Sequence, residues 1–307
     1  MLQLIGETNI AFLKHRRFTY CFSGALVLAT IGWLVVNGGP RMSVDFSGGT
    51  LLEIRASRVL PVDEVRSTLQ KSGFQGAEIQ QIGTGQDLLL RFPAQERQDA
   101  FVLIQAALQA QFPGTSVELL REETVGPKVG SELAKKAVWA ILLALGGILV
   151  YVGFRYEFKF AVGAVMALLH DVFIVFGLLC FLNREMSLTV VAGLLTLAGY
   201  SINDTIVVFD RIRERIRNLR KESHERVFDI AVNETLSRTM ITSLTVFFVA
   251  VALYIFGGAV INDFALAMVL GVAFGTYSSV FVAAALALEV WNFTDKGRKE
   301  AKKVRAA

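Results

Sequence analysis

The chain has 307 residues, 53% of them hydrophobic, and a mean hydropathy of +0.51. A soluble domain of this length cannot bury so much apolar surface, so lipid is the solvent to reason with. A formal charge of +4 and an isoelectric point near 9.1 would suit nucleic acid, but the basic residues stand in short blocks beside apolar runs, where they set membrane topology and argue against a nucleic-acid partner.

The first apolar run, residues 18–36, comes close to the roughly 20 residues that a spanning helix needs. No small-x-small cleavage site precedes the next polar stretch, so residues 1–36 are expected to form a cytoplasmic N-terminus and a retained first span. Cys21 here and Cys180 further on lie in separate apolar runs without metal or disulfide spacing and read as small hydrophobes.

Residues 37–136 are the one sizeable segment outside the apolar runs. LLEIRA and AEIQQI alternate with a period of two, while Val65 and Leu69, then Phe101, Ile104 and Leu108, repeat at helical spacing. The pattern predicts strand 50–56, helix 61–71, strands 77–82 and 87–92, helix 96–110 and strand 116–122. The helices stop at Ser72-Gly73 and at Phe112-Pro113-Gly114. The order βαββαβ is that of a ferredoxin-like unit. The segment contains no histidine or cysteine, and its Gly48-Gly49 pair lacks the frame of a phosphate loop, so a folded lever or docking module is expected.

Five further apolar runs follow, at residues 137–154, 160–181, 188–209, 240–256 and 264–290, and then a basic tail, residues 291–307. Lys14, Arg16 and Arg17, Arg155 and Lys159, seven basic residues from Arg211 to Arg226, and Lys296, Arg298, Lys299, Lys302, Lys303 and Arg305 all fall on one side of a six-span bundle. The positive-inside rule makes that side cytoplasmic, with both termini, and puts residues 37–136 in the periplasm. The expected architecture is therefore a polytopic α-helical membrane protein with six transmembrane helices and a small α+β periplasmic domain between the first two.

Within these apolar runs a few polar residues stand out. Asp204 lies six residues before Asp210 at the cytoplasmic end of the fourth span, roughly 9 Å deep at about 1.5 Å per residue. A carboxylate there costs on the order of 2.5–3.5 kcal/mol unless protonated, hydrated or paired. Arg238, at the start of the fifth span, is a candidate partner that would hold the ionised form and be released on protonation. The bland alternative is that Arg238 snorkels to the interface and Asp204 joins helices. In the third span His170 and Asp171 are adjacent, so they diverge by about 100 degrees around the helix. Asp171 reads either as a relay or as a helix-helix hydrogen-bond group, and His170 has no second ligand at metal spacing. Ser201, Asn203 and Thr205 flank Asp204 and would line a hydrated path or bond to the backbone. Gly271 and Gly275 form a GxxxG helix-contact face in the sixth span. Neither a nucleophile–base set nor a metal quartet emerges, which argues against an enzyme and for no cofactor.

VDFSGGT, FRYEFKFAVGAV, LLHDVFIV, TVVAGLLTLAGYSINDTIVVFDRIRE, LSRTMITSLT and GVAFGTYSS together resemble the SecF family, the smaller membrane subunits of bacterial SecDF protein-export complexes. The resemblance spans nearly the whole chain. It implies a member of the resistance-nodulation-division class that forms one six-helix half of a complex in the bacterial inner membrane, with SecD as the other half. Further implied partners are the SecYEG channel and the exported preprotein. It also implies that Asp204 and Arg238 couple a proton or sodium gradient to late-stage export. A stand-alone exporter of small molecules or lipids, or a purely structural stabiliser of a partner, is the competing expectation.

Overall fold

The computed structural model describes residues 8–74, 76–82, 85–92, 99–156 and 158–294. Lys296, Arg298, Lys299, Lys302, Lys303 and Arg305 of the basic tail, the expected helix start at residues 96–98 and the side chain of Lys159 lie outside the described residues. The chain divides into two compact units, one formed by Met42–Trp139 and one by the helices before and after it.

In the first unit a four-residue helix, α2 (Val44–Ser47), leads into β1 (Gly49–Ala56), α3 (Val62–Lys71), β2 (Glu78–Ile82), β3 (Asp87–Phe92), α4 (Ala100–Gln111) and β4 (Val117–Val125). The strands pair antiparallel in the order β2-β3-β1-β4, the split βαβ arrangement expected from the sequence. The period of two does its work in β3, where Leu88, Leu90 and Phe92 point inward and the residues between them are half-exposed. Val65 and Leu69 of α3 and Ile104 and Leu108 of α4 close the core over Leu52 and Ile54 of the central strand. Phe74 packs edge-on against Phe92. At the rim Arg55 takes Asp87 with two guanidinium bonds of 2.7 and 2.9 Å, which holds the Asp87 carboxyl below its ordinary range.

Helix α2 was not evident from periodicity, because it is a single turn started by its cap: the Asp45 N–H donates to Ser43 Oγ at 3.2 Å. The glycines that follow have a steric task. Gly48 and Gly49 sit at φ of +73° and +133°, and a Cβ on them would lie 2.8 Å from the Pro127 Cα and from the Phe92 carbonyl oxygen. A Cβ on Gly130 would come within 2.9 Å of the Phe46 carbonyl. The strand that enters the sheet thus crosses the helix that leaves it at backbone contact distance.

The second unit contains α1 (Arg16–Asn37), α5 (Pro127–Arg155), whose first residues belong to the other unit, α6 (Phe158–Phe181), α7 (Leu188–Asn218), α8 (His224–Phe256) and α9 (Gly258–Ser278). Helix α9 passes through a π-helical turn, Ser279–Ala283, and helical structure continues to Thr294. Among the described residues six helices are thus long and apolar enough to cross a membrane. In their most apolar windows α6, α7 and the sixth span are 50%, 44% and 61% buried, against 17%, 11% and 17% for α1, α5 and α8, so the first three form the interior of the bundle.

Two helices outrun their apolar windows. Helix α7 carries the arginine-rich stretch to Asn218, and α8 begins at His224, well before residue 240, leaving only a short turn between them. The early start of α8 comes from Ser223, whose Oγ caps the Arg226 N–H, and from Val227, Phe228, Ala231, Val232 and Thr235, buried at helical spacing. The N-terminal segment docks on the first turns of α8: the Leu13 N–H donates to buried Asp229, and the Asn233 amide exchanges two hydrogen bonds with the Ile10 backbone.

Because the α+β unit has its own core, a fragment spanning residues 42–123 is expected to fold alone, with a dispersed amide NMR spectrum. Leu90→Ala in that fragment removes a fully buried side chain and should lower its stability by about 2–5 kcal/mol, measured by urea unfolding.

Candidate functional site

Helix α7 buries one stripe, Leu194, Leu197, Ala198, Ser201, Asp204, Thr205 and Val208, and this stripe carries the carboxylate inward. Asp204 is 3% exposed. Its Oδ2 accepts from Ser243 Oγ at 3.3 Å and its Oδ1 from Thr242 Oγ1 at 3.4 Å, both on α8. The single Thr242 proton has nearer acceptors in the carbonyls of Thr239 and Arg238, at 3.0 and 3.1 Å. Ser243 is itself engaged, receiving the Tyr200 hydroxyl at 3.1 Å and lying 2.7 Å from Thr276 Oγ1 on α9. The Asp204 carboxylate is therefore out of water with two long bonds, a loosely held group.

Arg238 stands one helical turn before Thr242. Among the described residues it makes no ion pair within 4 Å: α8 brings Thr242 and Ser243 to Asp204, while the Arg238 side chain is exposed and lines a cavity of about 300 Å³ with Val207, Asp210, Arg211, Glu214, Glu234 and Thr235. Glu234 is held there by Arg211 at 2.6 Å and Arg215 at 2.5 Å, and Arg211 also takes Glu214 at 2.6 Å. At the edge of this region Tyr156, in the connection between α5 and α6, is pushed up to about 12 by burial, with a hydrogen bond to the Asp210 carboxylate.

The second carboxylate is held quite differently. Asp171 is fully buried on α6. Its Oδ2 accepts from Ser201 Oγ of α7 and Ser278 Oγ of α9, each at 2.5 Å, and its Oδ1 lies 2.9 Å from Nδ1 of the adjacent His170. Both serine hydroxyls thus converge on a single carboxyl oxygen of Asp171. Gly275 and Gly271 make room for the arrangement: a Cβ at Gly275 would press on Ser201 at 3.3 Å, and one at Gly271 would strike Leu197 at 2.6 Å. Ser201 thus belongs with Asp171, although it lies one turn from Asp204, and Asn203 is exposed on the far side of α7. Sequence reasoning missed Thr242, Ser243 and Ser278 as carboxylate donors. Their signal was present in the runs TMITSLT and GTYSS, hydroxyl clusters inside apolar spans.

Residues 104–292 match the family described as protein export membrane protein SecD/SecF, C-terminal. The chain is 43% identical over 293 residues to the protein translocase subunit SecF of Vibrio alginolyticus, covering 94% of this chain and 93% of that one. It is 41% identical to the SecF of Escherichia coli O157:H7, with 93% and 89% covered. The crystal structure of SecDF from Thermus thermophilus, a translocon-associated membrane protein, superposes with a TM-score of 0.84 at 37% identity, covering 95% of this chain. A SecDF structure in a super-membrane-facing form superposes with a TM-score of 0.69 at 37% identity over the whole chain. The chain spans 40% and 41% of the length of those SecDF chains. With its six spans, its ferredoxin-like insertion and this similarity over nearly its full length, the chain belongs to the SecF family of protein translocase subunits.

Proposed function

We propose that this translocase subunit packs beside SecD in the bacterial inner membrane and uses a proton or sodium gradient to promote the late stage of preprotein export through SecYEG. The observation that carries this reading is the loosely held, buried Asp204 carboxylate with Arg238, unpaired among the described residues, one turn from its Thr242 donor. Two arrangements are available to the pair. When Asp204 is ionised, the long arm of Arg238 can leave the cytoplasmic cavity and meet the charge. When a proton or other cation neutralises the carboxylate, Arg238 returns to the acidic cavity lined by Asp210, Glu214 and Glu234. Each passage of an ion shifts α7 against α8, and the periplasmic domain follows.

The magnitudes permit this. Moving one charge through 100 mV supplies about 2.3 kcal/mol, similar to the 2.5–3.5 kcal/mol that an unpaired carboxylate costs in a bilayer. A SecD partner is supported by α7 itself, where Thr196, Gly199 and Asn203 are exposed on one side of a spanning helix. Small and polar groups on such a face suit close helix packing and make poor contacts with lipid tails.

Asp204→Asn keeps the volume but cannot alternate in charge. It should assemble with SecD normally and lose gradient-dependent preprotein release by about tenfold or more, since about 2 kcal/mol of coupling is removed. Asp204→Glu should keep partial activity and Arg238→Lys an intermediate one, measured as preprotein release with the pH and sodium gradients collapsed separately. Wild-type, gradient-responsive release by the Asn variant would make Asp204 helix glue and defeat the reading. Export of small molecules by this chain without SecD would defeat it as well.

In cells lacking SecD the chain should be degraded several times faster, because the exposed polar face of α7 would meet lipid. Equal half-lives in pulse-chase labelling would count against the partner assignment.

A further inference from the structure

The hydroxyls around Asp171 leave one group of its cluster unanswered. His170 Nδ1 faces Asp171 Oδ1 at 2.9 Å, so the ring proton on that side is directed at the carboxylate. The other ring nitrogen, Nε2, is buried and has no hydrogen-bond partner among the described residues. In a neutral imidazole with its proton on Nδ1, that atom is an unmet lone pair. Asp171 itself is 0% exposed, and among the described residues His170 is its only partner in an ion pair. With Asp171 ionised, the cluster has a buried negative charge without a compensating cation, and a buried basic atom without a donor. A single proton on Nε2 answers both deficits.

We infer that His170 and Asp171 form a second proton-binding site in the membrane, in which the proton lands on His170 Nε2 and the resulting imidazolium is balanced by the Asp171 carboxylate. No bond other than the new N–H forms: Nδ1 keeps its proton and hydrogen bond, and the pair passes from a net charge of −1 to 0. Ser201 and Ser278 hold the carboxylate as an anion in both states. They also fix its position on α6 relative to α7 and α9, the latter just where α9 enters its π-helical turn. Such turns concentrate at functional positions because they break the regular hydrogen-bond ladder.

At this depth the titratable groups on the helices packed against α6 are Tyr277 on α9, Tyr200 and Asp204 on α7, and Tyr20 and Cys21 on α1. The Tyr277 ring stands 6.5 Å from the imidazole, and its hydroxyl is engaged with Ser23. Asp204 is bonded to α8. None of them donates to Nε2. The site thus differs from Asp204 in kind, a charge-neutralising dyad held by strong hydroxyl bonds beside a loosely held single carboxylate.

The test is nitrogen NMR of the full chain with SecD in lipid nanodiscs, with ring-labelled histidine and His170 assigned by the His170→Gln variant. At the alkaline end of the histidine range, His170 should carry its proton on Nδ1 alone, and on acidification it should gain one on Nε2. Asp171→Asn should move that midpoint to about tenfold higher proton concentration, whereas Ser278→Ala, which weakens the anion's support without removing its charge, should move it to lower proton concentration. The Nε2-protonated tautomer at high pH, absence of titration, or midpoints unmoved by both variants would overturn the proposal. If Asp171→Asn does not accumulate, the wild-type tautomer and the Ser278→Ala shift decide it. These readouts concern proton binding at equilibrium, so they stand or fall independently of whether Asp204 couples a gradient to export.

Discussion

A charged carboxylate inside a bilayer has to be answered by something, and much of this bundle can be understood as the answer. Asp171 and Asp204 are the aspartates buried on the three most buried helices, and no lysine or arginine forms an ion pair with either among the described residues. What reaches them instead are hydroxyls from neighbouring helices, which requires those helices to approach closely. Gly271 and Gly275 provide the approach of α9 to α7. Ser201, Ser278, Thr242 and Ser243 then supply the protons. Packing and electrostatics here are one constraint, because a bulkier residue at the glycines would pull the donors away from the charges they serve.

The two carboxylates are answered unequally, and the difference has a functional sense. Asp171 is gripped by two short bonds and a histidine, as suits a group that fixes helix positions while a proton comes and goes beside it. Asp204 has two long bonds, one of them from a threonine with nearer acceptors in its own helix, as suits the change of partner proposed for it.

Much of this was legible in the sequence because the signals were strong and local. Six long apolar runs, the strands read at LLEIRA and AEIQQI and the spacing of Val65, Leu69, Ile104 and Leu108 correspond to helices, strands and core in the structure, although burial alternates cleanly in DLLLRF rather than in those two strands. Asp204 and Asp171 stood out because charge in an apolar run is rare, and Arg238 because it stands at the start of the span that follows Asp204. Their partners did not. Which hydroxyl meets which carboxylate depends on helix rotation, and periodicity within one helix says nothing about its neighbour's rotation. For the same reason Ser201 read as a companion of Asp204, its neighbour in sequence, when it faces Asp171 across the interior. The early start of α8 escaped notice because its first turns are amphipathic and their hydropathy is diluted by Glu225, Arg226 and Glu234. Helix α2 was too short to have any period.

The central claim is that Asp204 changes its protonation when a gradient is imposed. It is tested most directly by difference infrared spectroscopy on the chain and SecD reconstituted together in sealed vesicles, with carbonyl-labelled aspartate and a pH jump across the membrane. The account predicts a protonated-carboxyl band that appears on acidifying the outer face, collapses with an uncoupler and is missing from the Asp204→Asn protein. A spectrum in which no carboxyl band responds to the gradient, or in which the responding band survives in the Asn variant, would contradict it.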